Sequence, residues 1–193
     1  TYQNDSFHRL TWYCVDALNN TGQEHVELDI VDGSAPRIWK EVSQPKRVVG
    51  ECNESNEVCD YYVTNHTDIT LHCVDEGPHP SDNVTIHYRW NNNADNTTGG
   101  GAVNAEEHTF SYPTDSEHHL KFWCEDGLGN VVGDSEDIYE IDYVDTQAPV
   151  TNKSVGYPRV PGNGSVHYWI TQDTEITLDC EDVMPHPVGD VTL

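Results

Sequence analysis

Six cysteines are the side chains with the clearest chemical meaning in this chain of 193 residues. They are Cys14, Cys52, Cys59, Cys73, Cys124 and Cys180. No two of them have the Cys-x-x-Cys spacing of a structural zinc site or a redox motif. We therefore expect disulfide bonds, which persist in oxidising compartments outside the cytoplasm. Cys52 and Cys59 are close enough in sequence to close a short local loop.

Carboxylate and amide side chains are a second group that could do chemistry. Calcium prefers hard oxygen ligands. Such ligands collect at the candidate calcium residues Asp75, Asp126, Asn130, Asp134 and Asp145. Their spacing is not that of an EF-hand, and the interpretation we favour is that Asp126 and Asn130 cap a β-turn through their side chains. The sequence thus leaves two alternatives, no cofactor or calcium.

Eleven histidines invite a catalytic interpretation. However, His79 and His186 occupy equivalent Pro-His-Pro segments, and His8 and His118 are also equivalent to each other. Histidines that recur in this way indicate a framework role. The sequence has no Gly-x-Ser-x-Gly, no His-Glu-x-x-His and no Gly-rich phosphate loop. We therefore expect no enzyme activity and no catalytic residues.

The chain is strongly acidic, with 34 acidic and 9 basic residues and a formal net charge of -25. Nucleic acids and anionic membranes bind clustered Lys and Arg, so neither is an expected partner. No run of 18 apolar residues is present, and we expect no direct membrane insertion. Because like charges repel, salt or bound divalent cations should stabilise the folded chain.

Eight Asn-x-Ser/Thr sequons are present, which predicts N-linked glycans on surface positions. Dense sequons and disulfides together favour an extracellular or cell-surface location. The sequon asparagines are Asn4, Asn19, Asn53, Asn65, Asn83, Asn96, Asn152 and Asn163.

An internal repeat organises the chain. The segment around Cys14 recurs around Cys124, 110 positions later, and the segment around Cys73 recurs around Cys180, 107 positions later. A repeat unit is therefore about 110 residues long, the size of one small domain.

The phase of the repeat divides the chain. Residues 31–36 recur at 144–149 and mark the junctions between units. We therefore predict that residues 1–32 are the closing strands of a preceding unit and that 33–145 is one complete unit. Residues 146–193 are then the opening strands of a following unit.

Alternation of apolar and polar residues predicts strands at 67–75, 83–90, 118–124 and 137–145, with a hairpin turn at 126–130. No helical period competes with these strands, so the expected class is an all-β sandwich. One face of the last strand carries the large side chains Tyr139, Ile141 and Tyr143.

Cys73 and Cys124 fall on inward faces of strands 51 residues apart, with Trp90 on an inward face between them. This is the Cys, Trp, Cys order of immunoglobulin domains, in which a disulfide joins the two sheets. On that pattern we predict a Cys73–Cys124 disulfide, worth about 4 kcal/mol by loop entropy. Cys14 and Cys180 then lack partners within a complete unit.

Segments 117–130 and 144–151 resemble the immunoglobulin-like repeats found in tandem in large bacterial and archaeal cell-surface proteins. Those repeats carry an aromatic strand, an Asp-x-x-Gly-Asn turn and an Asp-Thr-x-x-Pro linker, and all three are present here. The resemblance implies tandem immunoglobulin-like β-sandwich units, one complete and two partial. Phe122 stands where antibody domains have Tyr, so no tyrosine corner is expected.

The leading hypothesis for function is a non-catalytic structural component of an extracellular filament, stalk or surface layer, assembled head to tail. Partners would be neighbouring copies, which complete the open ends by strand exchange, or adjacent covalent repeats of a longer chain. A Cys14–Cys180 disulfide between subunits fits the first case. The alternative hypothesis is a cell-surface adhesin or carbohydrate-binding module that uses loops for recognition.

Overall fold

A computed structural model describes residues 2, 4–52, 59–77, 80, 83–91, 96–132, 139–183, 188 and 192. Over these residues the regular structure consists of sixteen β-strands without a helix, so the predicted all-β class is confirmed. In the part of the chain described here, no helix has the length and apolar character needed to cross a membrane.

The strands form three groups along the chain. The leading strand group consists of β1 (Ser6–Trp12) and β2 (His25–Val31). The central unit consists of β3 (Arg37–Val42), β4 (Lys46–Val48), β5 (Tyr61–Val63), β6 (Ile69–Val74), β7 (Asn83–Trp90), β8 (Asn96–Val103), β9 (Ala105–Phe110), β10 (Glu117–Asp126), β11 (Val131–Val132) and β12 (Tyr139–Val144). The trailing strand group consists of β13 (Val150–Val155), β14 (Arg159–Pro161), β15 (Tyr168–Ile170) and β16 (Ile176–Glu181).

The strands of the central unit are hydrogen-bonded in the order β3-β6-β9-β8-β7-β10-β12-β5-β4, with β11 beside β10. The pairs in this path are antiparallel except for β12 and β5, which run parallel. Three strands separate β6 from β10 along the path, yet a disulfide joins Cys73 on β6 to Cys124 on β10. The path therefore folds back on itself, and its two layers face each other as in a β-sandwich.

The core lies between β6 and β10. Alternate residues of both strands are buried, as the apolar pattern at 67–75 and 118–124 predicts. Removing these side chains from water is the main driving force for folding of the unit. The buried core residues are Val42, Val63, Ile69, Leu71, Cys73, Val84, Ile86, Tyr88, Tyr112, Leu120, Phe122, Cys124 and Val144, and Trp90 packs against them while partly exposed.

Strand β12 turns its acidic face, not its aromatic face, toward the core. Glu140 and Asp142 are fully buried, whereas Tyr139 is exposed and Tyr143 is half-buried. The register explains this orientation, because Glu140 lies opposite the buried Leu120 of β10 and cross-strand neighbours share a face. The inward position of two carboxylates is the main departure from a purely apolar core.

The flanking strand groups repeat the pairings of the central unit. In the leading group Leu10 lies opposite Glu27, as Leu120 lies opposite Glu140. In the trailing group β13 pairs with β16 as β3 pairs with β6, and β14 with β15 as β4 with β5. The flanking groups differ from the central unit in how far a second layer covers them. Leu10 is 45% exposed, whereas its equivalent Leu120 is fully buried.

Candidate functional site

Both disulfides named from the sequence are formed. Cys73–Cys124 crosses the core with a Cα–Cα distance of 6.1 Å, and both cysteines are fully buried. Cys52–Cys59 closes the loop before β5 with a Cα–Cα distance of 5.0 Å. The first bond joins the two layers, and the second constrains a local loop.

Cys14 and Cys180 are free thiols. Cys14 follows β1 and is exposed, and Cys180 lies on β16 and is half-buried. Their repeat equivalents are Cys124 and Cys73, which bond to each other. Each flanking group thus carries one half of a cysteine pair.

Three aspartates meet at the junction between the leading group and the central unit. Asp32 follows β2, Asp75 follows β6, and Asp126 ends β10. One carboxylate oxygen from each lies within 4.8 Å of the others. Oxygens at this spacing fit the ligand set of calcium, which binds oxygens at about 2.3–2.6 Å. These three residues could therefore hold a divalent cation, and Asp32 was not identified from the sequence.

Asn130, another candidate ligand, caps the turn after β10. The Asp126 Oδ1 atom accepts hydrogen bonds from the backbone N–H groups of Leu128 (2.9 Å) and Asn130 (2.8 Å). The Asn130 side-chain amide donates to Asp126 Oδ2 at 2.7 Å. The same three bonds link Asp16 to Leu18 and Asn20 in the leading group. This is the turn-capping arrangement favoured from the sequence.

Of the remaining two candidate calcium ligands, the structure describes Asp145, and it is not at this junction. Asp145 directly follows β12, at the end of that strand that pairs with the start of β10, whereas Asp126 is the last residue of β10, because the two strands are antiparallel. Asp134 lies outside the described residues. Asp145 instead lines a cavity of about 420 Å³ together with Asp182, and these two are the repeat equivalents of Asp32 and Asp75.

Four polar side chains form a buried cluster between β3 and β12. The Lys40 Nζ atom lies 3.3 Å from both carboxylate oxygens of Asp142, and it also contacts the carboxylate of Glu140. The Tyr112 hydroxyl donates to Asp142 Oδ2 at 3.0 Å. The side chain of Lys40 is 1% exposed, and those of Glu140 and Asp142 are fully buried.

The buried cluster holds one amine against two carboxyl groups. Burial raises the pKa of Glu140 to about 7, although the charge of Lys40 opposes this. Burial also raises the pKa of Asp142, again against the charge of Lys40. Burial alone would lower the pKa of Lys40, but the charges of Asp142 and Glu140 raise it. A proton retained on Glu140 leaves the cluster close to neutral.

Sequence reasoning missed the buried cluster, although the repeat carried a signal for it. The motif Glu-x-Asp-x-Val-Asp occurs at 27–32 and again at 140–145, and Lys40 recurs as Lys153. In the leading group the Tyr2 hydroxyl donates to Asp29 Oδ2 at 2.9 Å, which matches the bond between Tyr112 and Asp142. The leading group and the central unit therefore share this tyrosine–aspartate hydrogen bond.

The sequons lie mainly at accessible positions. Glycosylation requires an exposed asparagine, and Asn65 is half-buried. Asn96 lies in β8, and Asn53 lies outside the described residues. The exposed sequon asparagines are Asn4, Asn19, Asn83, Asn152 and Asn163.

Comparison with known proteins identifies no relative of this chain. No family model, no curated protein and no solved structure matches the chain. The function proposed below is therefore argued from the repeated strand pairs, the disulfides and the exposed faces of the flanking groups.

Proposed function

We propose that this chain is a non-catalytic structural component of an extracellular filament, stalk or surface layer. It is built from tandem immunoglobulin-like β-sandwich units stacked head to tail, with one complete unit at 33–145 and partial units at 1–32 and 146–193. The observation that carries the proposal is that the two flanking groups correspond to different parts of the central unit. The leading group corresponds to β10 and β12, and the trailing group to β3 to β6.

The faces of the two flanking groups are complementary. In the central unit, β10 packs against β6 across the core. Their equivalents, β1 and β16, expose the same faces: Leu178 is 56% exposed, whereas its equivalent Leu71 is fully buried. A leading group of one unit and a trailing group of its neighbour would cover these faces together. Because the contact joins two different surfaces, it repeats without closing and generates a fibre.

Polar residues and cysteines of the two flanking groups also correspond to residues that contact each other in the central unit. Cys14 on the leading group corresponds to Cys124, and Cys180 on the trailing group to Cys73. Asp29 likewise corresponds to Asp142, and the exposed Lys153 corresponds to Lys40. The disulfide and the amine–carboxyl contact of the central unit would thus both form between neighbours.

Residues 87–110 have no counterpart in either flanking group. These residues supply β8, β9 and part of β7 in the central unit. The hydrogen-bonding edges of the flanking groups are suited to strand addition, but the missing counterpart counts against closure by a second copy alone and favours covalent neighbours as the alternative. The neighbour is a second copy of the chain or the next repeat of a longer one.

An extracellular location agrees with the two disulfides and with the five exposed sequon asparagines. The net charge of -25 keeps the surface soluble. Glycans on exposed positions would further limit lateral association, so that contacts concentrate at the two ends of each unit.

Electron microscopy of the native material tests the proposal. We expect fibres or a regular layer with an axial repeat close to the length of one subunit, whereas monodisperse particles would contradict it. Leu178→Asp should abolish assembly, because it places a charge on the face to be buried. Leu128→Asp is the matched control, since Leu128 is 63% exposed in the β10–β11 turn of the central unit and lies on neither β1 nor β16. Equal assembly of the two variants would also count against the proposal.

A further inference from the structure

The buried cluster is an unusual use of core space. Lysine is almost never fully buried unless it is paired, and a buried ion pair is often no more stable than apolar residues of similar volume. Here an amine and two carboxyl groups, all almost fully shielded from solvent, meet between β3 in one layer and β12 in the other. Stability of the core alone therefore does not account for these three buried groups.

The geometry places the amine against the carboxyl group as a whole. The Lys40 Nζ atom is 3.3 Å from Oδ1 and 3.3 Å from Oδ2 of Asp142. The nitrogen is therefore equidistant from the two oxygens of this carboxyl group. An amine and a carboxyl group held in contact within one molecule react at a large effective concentration.

We propose that Lys40 and Asp142 condense to an amide bond that links the two layers of the central unit. The Nζ–Cγ bond forms, the bond from Cγ to one carboxyl oxygen breaks, and one water molecule leaves. No oxidant, reductant or external group is needed, because an ammonium and a carboxylate contain all the atoms of an amide and a water.

Each proton in this reaction has a defined path. The reaction starts from the neutral form of the pair, in which the Lys40 ammonium has passed one proton to the Asp142 carboxylate to give an amine and a carboxylic acid. The amine attacks Cγ, and Glu140 relays a second proton from Nζ to the departing hydroxyl group. The two protons that leave Nζ thus depart in the water molecule, and Glu140 ends in its starting state.

Glu140 and Tyr112 are placed for the two supporting roles. Glu140 contacts Nζ directly, and burial raises its pKa to about 7, a value suited to both accepting and releasing a proton. The Tyr112 hydroxyl donates to Asp142 Oδ2 at 3.0 Å, where negative charge develops when the amine attacks. The sequence separation of Lys40 and Asp142 is 102, so the bond would tie the first strand of the unit to its last.

Intact mass spectrometry of the full 193-residue chain, produced in a host that does not add glycans and then reduced, tests the proposal. The expected mass is the sequence mass less one water. Lys40→Arg and Glu140→Gln should show the full sequence mass for their own sequences. Lys121→Arg, which changes a lysine on the opposite face of β10, should keep the loss of water. Formation of the Cys73–Cys124 disulfide before reduction reports that each variant has folded.

The site of the bond must be located by peptide sequencing, because the Asp-Gly pairs at 32–33 and 126–127 can also lose water by cyclising. A branched peptide that joins Lys40 to Asp142 supports the proposal. A folded wild-type chain with the full sequence mass would overturn it and leave a buried ion pair. A bond from Lys40 to Glu140, or unchanged bond formation in Glu140→Gln, would overturn the assigned roles.

Discussion

The central unit and the flanking strand groups contain the same strand pairs in different surroundings. Leu120 and Leu10 occupy equivalent positions on β10 and β1, and so do Leu71 and Leu178 on β6 and β16. In the central unit these leucines are buried, and in the flanking groups they are exposed. Strand pairing therefore follows from the local sequence, whereas burial requires a second layer.

The cysteines show the same contrast. Cys73 and Cys124 bond across two layers that face each other, whereas Cys14 is an exposed thiol and Cys180 a half-buried one. Equivalent residues of the central unit and the flanking groups form matched pairs within one molecule. Substituting each member of a pair in a separate variant measures what the second layer contributes to stability.

Among the matched pairs, we expect the cysteines to show the largest difference in the loss of unfolding free energy. Cys124→Ala removes a bond that closes 51 residues and should lower the unfolding free energy of the central unit by about 4 kcal/mol. Cys14→Ala removes a free, exposed thiol and should change it by less than about 0.5 kcal/mol. Urea denaturation followed by tryptophan fluorescence measures both. Similar losses in the two variants would show that the leading group is part of the same cooperative core.

The pair Leu71 and Leu178 should show the next largest difference in the loss of unfolding free energy. Leu71→Ala opens a cavity in the core and should destabilise the central unit by about 3 kcal/mol. Leu178→Ala, its equivalent on the exposed face of β16, should cost less than about 1 kcal/mol in the isolated chain. Repeating the measurement on assembled material sharpens the comparison, because the cost of Leu178→Ala should rise once a neighbour covers it.

The pH dependence of stability should distinguish Glu140 from Glu27. Burial raises the pKa of Glu140 from 4.5 to about 7, so its contribution to stability is complete below pH 4.5 and is lost as the pH rises to 7. Over this range the wild type should lose about 3 kcal/mol of unfolding free energy relative to Glu140→Gln. Lys40 opposes the rise in the pKa and Asp142 adds to it, but burial is the largest cause.

Glu27→Gln is the matched control for this measurement, because Glu27 is the exposed equivalent of Glu140 on β2. Denaturation curves at several pH values should be parallel for Glu27→Gln and the wild type. Parallel curves for Glu140→Gln and the wild type would mean that the Glu140 carboxyl group is not shielded from water.

The capped turns should give the smallest effect. Asp126→Ala removes three hydrogen bonds to Leu128 and Asn130 and should destabilise the central unit by about 1–2 kcal/mol. Asp16→Ala removes the same bonds from the leading group. It should speed amide hydrogen exchange at Asn20 without changing the stability of the central unit. A loss of central-unit stability in Asp16→Ala would contradict the independence of the two turns.

Sequence patterns predicted the strands that have one apolar face. The alternation at 67–75 and 118–124 is regular because each strand buries one side against the other layer, and the two inward cysteines follow from it. Strand β12 was less predictable. Its buried face carries Glu140 and Asp142, which are compensated by a lysine about 100 positions earlier, and such a tertiary partner leaves no local pattern.

The junction aspartates were also only partly predictable. Asp75 follows β6 and Asp126 ends β10, and the sequence placed both in one candidate site. Asp145 was grouped with them because residue type alone does not reveal the strand direction that separates it from Asp126. Asp32 was missed because its proximity to Asp75 depends on the path of the chain between β2 and β3.

The most direct test of head-to-tail stacking is the identification of disulfide-linked peptides in the native material. Because Cys14 and Cys180 occupy the positions of a bonded pair, we predict a Cys14–Cys180 peptide that joins different chains. A ladder of masses on a non-reducing gel that collapses on reduction would accompany it. Free thiols at both positions, or bonds from them to other sequences within a single long chain, would contradict assembly from separate subunits.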